Sequence, residues 1–183
     1  MGRVTAANRA RESLAVPFAL AAVVAALDQI TKSVVTRQLG QTADDHRVEI
    51  AGRFVAFEYV ENSGAAFGLL RGQTVVLTMV SIAVVVVLIA SYRRAQHVSW
   101  QLVVGLGLLL GGAIGNLVDR LRLGYVVDFV AISLWPKFNI ADSAITIGVI
   151  LIAWHAFARD RLVPSPSFAP EIGPIAPNQD MSK

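Results

Sequence analysis

Four runs of apolar residues divide the chain, at about 14–35, 74–91, 101–118 and 140–158. Each has the length and the lack of charge that suit a helix crossing a bilayer. In the first run Pro17 falls in the predicted first turn, where its missing N–H costs least. Asp28 and Lys32 lie in its last third, four apart and so on one helical face. That pair reads in two ways: an ion pair snorkelling at the interface, or a carboxylate facing the same cavity as the later Asp residues. The second run carries no charge at all. In the third, Gly107, Gly111 and Gly115 share one face in the small-xxx-small pattern that lets helices approach closely in lipid. Gly112, Asn116, Asp119 and Arg120 lie on the adjacent face. Asp119-Arg120 reads as a helix-end charge pair, but Asn116, an amide at membrane depth, needs partners.

The connections are uneven. Residues 37–72 form the longest one, with Asp44, Asp45, Arg47 and Glu49 in a polar loop. Residues 54–60 are β-branched and aromatic and predict a strand or two on the membrane surface. Asn62-Ser63-Gly64 is a turn signal, and the small residues and Phe67 after it predict a short interfacial helix leading to Arg71. Residues 125–138 are short, partly β-like and aromatic, and predict a surface segment dipping into the interface. Asn139 suits an N-cap for the fourth run and puts Asp142 in the first helical turn. The prolines Pro164, Pro166, Pro170 and Pro174 mark residues 161–183 as a disordered tail. The expected fold is an all-α polytopic membrane protein. It has one domain, residues 1–160, with four transmembrane helices, a small extracytoplasmic β-like segment and an interfacial helix.

Composition strengthens this picture. The chain is 55% hydrophobic and 16% charged, against about 25% charged in a typical soluble domain. The net charge of +3 comes without a basic patch of interleaved aromatics, so a nucleic-acid partner is not expected. There is no cysteine, which excludes disulfides, a Cys nucleophile and Cys-based metal sites. Four spans put both termini on one side. That side holds Arg93-Arg94 in a short acid-free loop, and the positive-inside tendency then places the termini in the cytoplasm. Asn62, Asn116, Asp128, Asn139 and Asp142 thereby gather near the outer face.

Carboxylates beside membrane-length apolar runs are costly and mark function. Asp128 sits inside Val126-Val127-Asp128-Phe129-Val130, and Asp142 opens the last run. Two carboxylates brought together share one proton, so one acts as acid and the other as base. Such a pair can activate water against an amide without a metal or a covalent intermediate. His97 is expected in a loop on the wrong side, and His155 deep in or beyond the last span, so no Ser/His/Cys nucleophile set forms. The His-Glu-x-x-His of a zinc protease is absent. Two other classes stay open: a small proton- or ion-coupled transporter using Asp28, Asp128 and Asp142, and a metal-dependent hydrolase with Asp and Asn ligands. The transporter would want carboxylates spread through the membrane depth, whereas these cluster towards one side.

Five motifs occur in order: Asp28-Gln29-x-Thr31-Lys32, Asn62-x-Gly64-x-Ala66-Phe67, Gly111-Gly112-x-x-Gly115-Asn116-x-x-Asp119-Arg120, Val126-Val127-Asp128-Phe129 and Phe138-Asn139-x-Ala141-Asp142. Together they resemble the motif set of the bacterial lipoprotein signal peptidases (signal peptidase II), over roughly residues 14–158. The resemblance implies a four-helix intramembrane aspartyl endopeptidase of the cytoplasmic (inner) membrane. Its substrates would be diacylglyceryl-modified prolipoproteins, cut just before the lipid-bearing cysteine. It implies Asp128 and Asp142 as the catalytic dyad. Asn62, Asn116, Arg120 and Asn139 would bind substrate or orient the dyad, and Asp28, Lys32, Asp119 and Gly64 would support the site. It implies no cofactor and no metal. Membrane lipid and the lipidated prolipoprotein are the expected partners of a monomer.

Overall fold

The computed structural model describes residues 2–40, 47–64, 72–94 and 99–160. The elements in chain order are α1 (Gly2–Leu39), β1 (Arg47–Ala51), β2 (Val55–Asn62), α2 (Thr74–Arg94), α3 (Trp100–Leu123), β3 (Val126–Ile132) and α4 (Ile140–Asp160). The molecule is mostly helical with one small sheet. Ala15–Leu39, Trp100–Leu123 and Ile140–Ala158 are each long and apolar enough to cross a membrane. The apolar part of α2, Thr74–Ala90, is shorter. The expected interfacial helix, His97 and the tail of residues 161–183 lie outside the described residues.

The helices begin and end where local chemistry requires. Ser99 caps α3, its hydroxyl accepting the N–H of Leu102 at 3.3 Å. Gly124 closes α3 at φ 83, a left-handed conformation that glycine adopts without strain, and its N–H bonds to the Arg120 carbonyl. Arg120 and Arg122 occupy the last turn, where the helix dipole favours cations. α1 runs unbroken from Gly2, so Pro17 lies inside the helix instead of in its first turn.

α3 is the centre of the bundle and packs against α1, α2 and α4. Its glycines serve two faces. A Cβ on Gly111 would stand 2.7 Å from the Ala21 carbonyl oxygen, and one on Gly107 3.0 Å from that of Pro17, so this face takes α1 at backbone distance. A Cβ on Gly112 would stand 2.4 Å from the Ala141 carbonyl oxygen, and Gly105 meets Gly148, so the second face takes α4. Close backbone approach of this kind supplies packing where lipid removes the hydrophobic drive between helices. Outward-facing residues such as Val75, Met79, Trp154 and Phe157 stay exposed and apolar.

The sheet has the order β1-β2-β3, both pairs antiparallel. It draws in residues 126–132, part of the segment expected to be partly β-like and interfacial, and so puts Asp128 on a strand opposite Val60. The chain then doubles back through a turn in which Leu134 adopts φ 67. Phe138 rejoins the strand: its carbonyl accepts the N–H of Val130 at 2.8 Å and its N–H bonds to the Val130 carbonyl at 3.2 Å. This return delivers Asn139 and the start of α4 beside Asp128.

Candidate active site

The start of α4 is built by a reciprocal cap. The Asn139 side-chain oxygen accepts the N–H of Asp142 at 2.9 Å, and Asp142 Oδ2 accepts the N–H of Asn139 at 3.3 Å. This is a capping box made from an amide and a carboxylate. It fixes Asp142 as the third helical residue, among the unpaired N–H groups of a helix N-terminus, where negative charge is favoured.

Asn139 is also the bridge to Asp128. Its Nδ2 donates to Asp128 Oδ1 at 2.8 Å, with longer contacts to Asn116 Oδ1 at 3.2 Å and the Val127 carbonyl at 3.3 Å. Asn62 Nδ2 donates to Asp128 Oδ2 at 2.8 Å. Its own Oδ1 accepts the N–H of Gly64 at 2.9 Å, so Asn62 is a turn residue and a site residue at once. Asn116 Nδ2 donates to Asp142 Oδ1 at 2.8 Å. Three amides thus fix the orientation of the two carboxylates. Burial pushes the Asp128 carboxyl up to about 7, helped by the negative charge of Asp142 and opposed by the N–H bonds from Asn62 and Asn139.

Asp128 and Asp142 line one cavity of about 730 Å³, open to the surface and lined also by Asn62, Gly64, Asn116 and Arg120. Apolar residues Val60, Trp135, Phe138, Ile145 and Ile147 form part of the remaining wall. Arg120 reaches Ser81 on α2 with a long contact of 3.4 Å, so the expected Asp119-Arg120 pair is not how the two residues are used. Lys137, another lining residue, pairs with Glu58, which also binds Arg47 at 2.8 Å and so ties β1 and β2 to the chain before α4. Burial works against the Glu58 charge, but Lys137 and Arg47 outweigh it and hold the carboxyl below its ordinary range.

Asp28 and Lys32 belong to neither of the two places read from sequence. They are 0% and 3% exposed, which excludes snorkelling, and Asp28 does not line the cavity. They form a sealed cluster behind it. The Lys32 ammonium meets Asp28 Oδ2 and Asp119 Oδ2, each at 2.8 Å, and Asn116 Oδ1 at 2.9 Å. Its three donors are therefore all used. The carboxylates then hold backbone. Asp28 Oδ1 accepts the N–H of Ala141 at 2.9 Å, and Asp119 Oδ2 that of Val127 at 3.1 Å. Each anchored residue immediately precedes one of the cavity carboxylates. Among the described residues, every buried side-chain N or O atom has a partner.

Gln29 belongs to the same cluster although sequence reasoning gave it no role. Its Nε2 donates to Asp119 Oδ1 at 2.8 Å and to the Gly115 carbonyl at 3.1 Å. Its place beside Asp28 in the first motif is the signal that was available. Ser81, one of a few hydroxyls in an apolar helix, gave a weaker one. His155 lies in α4 well beyond the first turn and bonds Ser99, the α3 cap, at 3.0 Å.

Arranged in this way, the two carboxylates can divide acid and base roles towards a group held in the cavity, with amides fixing both. Comparison with known proteins agrees in kind. The profile of the signal peptidase II family matches residues 20–158. The lipoprotein signal peptidase of Moorella thermoacetica is 43% identical over 140 residues, covering 76% of this chain and 91% of that protein. That of Mycobacterium avium is 41% identical over 160 residues, covering 82% and 84%. A bacterial membrane enzyme solved by the in meso method at 2.3 Å superposes with a TM-score of 0.71 and 31% identity, covering 82% of this chain and 92% of that one.

Proposed function

The chain belongs to the signal peptidase II family, and from that premise we propose that it removes signal peptides from diacylglyceryl-modified prolipoproteins, cutting before the lipidated cysteine. It is a multi-pass membrane protein and a peptidase. On this reading residues 1–160 are the peptidase domain. α2 joins the three longer apolar helices as a fourth span, and both termini are cytoplasmic. The cavity then lies near the outer face of the bacterial cytoplasmic membrane, where water reaches it. One chain supplies every residue of the site, in keeping with a monomer.

The observation that carries the reading is the placement of Asp128 and Asp142 on one cavity, bridged through Asn139. Asp142 acts as the base. It accepts N–H bonds on both oxygens and sits at a helix N-terminus, an environment suited to the ionised form. Asp128, among Val126, Val127 and Phe129, holds the shared proton. A water between them loses a proton to Asp142 as its oxygen attacks the scissile carbonyl, while Asp128 donates to the carbonyl oxygen. The carbonyl re-forms as the C–N bond breaks: its hydroxyl proton returns to Asp128, and the departing nitrogen takes the proton from Asp142. Asn62, Asn116, Asn139 and Arg120 hold the carboxylates and the substrate backbone. The apolar wall takes the signal helix and acyl chains. No step needs a metal.

The test is cleavage of a lipidated prolipoprotein by purified protein in detergent with chelator present. Asp128→Asn and Asp142→Asn should each lose about 10²–10⁴-fold or more in turnover while remaining folded. Near-normal turnover by either variant, or loss of wild-type activity to the chelator, rejects the assignment.

A further inference from the structure

The three contacts of Lys32 separate into two kinds. Two are ion pairs with Asp28 and Asp119, and these explain why a buried ammonium is tolerated. The third, to Asn116 Oδ1 at 2.9 Å, is not needed for charge balance. Asn116 is the residue whose amide nitrogen meets Asp142. An amide has one acceptor end and one donor end, so what binds its oxygen decides which end faces the cavity. The other group near Asn116 Oδ1 is Asn139 Nδ2 at 3.2 Å. That nitrogen has two hydrogens for three acceptors, and the shortest of its contacts goes to Asp128. Lys32 is therefore the stronger determinant.

We infer that Lys32 is a positioning residue for the reaction: its ammonium holds the Asn116 oxygen inward, so that Asn116 presents N–H to Asp142. The inference rests on Asp142 being the working base. A charged donor on the amide oxygen also polarises the amide and strengthens its N–H as a donor, since charge-assisted bonds are stronger than neutral ones. Lys32 in this way strengthens the hydrogen bond that Asp142 receives without touching it. Were the amide reversed, an oxygen would face the carboxylate and repel it. The other charged groups around Asp142 are Asp128 on β3, Glu61 on β2, Arg120 on α3 and Lys137 just before α4, the last paired with Glu58, with Asp28 and Asp119 behind Asn116.

The experiment uses full-length protein in detergent, a lipidated prolipoprotein substrate, and kcat and KM measured from pH 5 to 9 per folded molecule. Lys32→Met, similar in length, should move the acid limb of kcat to higher pH by about one unit, the lower end of what a nearby charge does, with KM unchanged. Lys32→Arg, which keeps the charge, should leave the limb near its wild-type position even if thermal stability falls. A limb that stays put in Lys32→Met while Tm drops makes Lys32 a purely structural charge and overturns the inference. So does an equal shift in Lys32→Arg. If Lys32→Met yields too little folded protein, Asp28→Asn with Lys32→Met removes the intrahelical pair as a unit and carries the same expectation and the same refutation. Asp142→Asn is run alongside: if it retains turnover, the reading of the dyad fails, whatever Lys32 does.

Discussion

Asp119 Oδ2 accepts the backbone N–H of Val127 at 3.1 Å, so a carboxylate on α3 holds the strand one residue ahead of Asp128. The same oxygen takes Lys32 at 2.8 Å. Removing the carboxylate leaves Lys32 short of a charge partner and orphans a buried N–H. Asp119→Leu should therefore cost about 3–5 kcal/mol, the range for breaking a buried pair by deleting one member. Asp119→Asn keeps an acceptor for Val127 and should lose less. Thermal unfolding in detergent checks the order; equal losses would mean that the backbone contact contributes nothing.

Asn139 serves α4 and Asp128 through different atoms, so the two duties are separable. Asn139→Ala should lose about 0.5–2 kcal/mol of stability with the cap. Asn139→Ser restores a capping oxygen and should recover most of that. Neither variant keeps the amide N–H group that meets Asp128, so turnover should fall in both, on the order of 10²-fold, as for loss of one oriented donor. Recovery of activity together with stability in Asn139→Ser would show that only the cap matters.

Stability should depend on pH through Asp128. Its folded-state carboxyl, raised to about 7, binds a proton more tightly than in the unfolded chain, where the ordinary value is 3.8. Between those values the folded state holds the extra proton, so stability falls as pH rises from about 4 to about 7 and then levels off. Asp128→Asn removes the titration. Its Tm should be flatter over that window and higher than wild type at pH 8. A wild-type Tm that rises across the window contradicts the sign.

Gly112 is the tightest point between α3 and the first turn of α4. A methyl there would lie 2.4 Å from the Ala141 carbonyl oxygen, a backbone atom that cannot rotate aside. Gly112→Ala should push α4 outward, carrying Asp142 away from Asn116, with a large loss of turnover. By contrast, an exposed glycine such as Gly52 has open space around its missing Cβ, so its substitution strains only the local turn. Full activity in Gly112→Ala would show that the helices part without disturbing the site.

How much of this could be read along the chain depended on the range of each interaction. The apolar runs, the glycine face towards α1 and the cap at Asn139 are encoded within a few residues, and they were legible. Asp128 and Asp142 stood out because charge in apolar runs is costly. The pairing of β2 with β3 was not legible, because Val60 and Asp128 are brought opposite each other only when α3 has turned the chain around. The use of Asp28 was half legible. Its pairing with Lys32 followed from spacing, but its hold on the Ala141 backbone depends on α4. Gln29 and Ser81 act through partners on other helices, and only the place of Gln29 beside Asp28 hints at it.

The pairing of Asp28 with Lys32 also bears on how the protein is made. The two lie one turn apart on α1, whereas Asn116 and Asp119 come much later in the chain. During synthesis the first apolar helix meets the membrane before α3 exists. A lone carboxylate at that depth opposes insertion, by about 2.5–3.5 kcal/mol at the helix centre. With Lys32 on the same face, the charges neutralise each other inside one helix. The pair stays closed in the folded protein and gains Asp119 and Asn116 as further partners once α3 arrives. An isolated α1 segment should insert less efficiently as Lys32→Leu than as Asp28→Asn with Lys32→Leu, and glycosylation-based insertion assays can read the difference. The same two residues thus act first as a passport into the bilayer and later as the keystone of the folded enzyme.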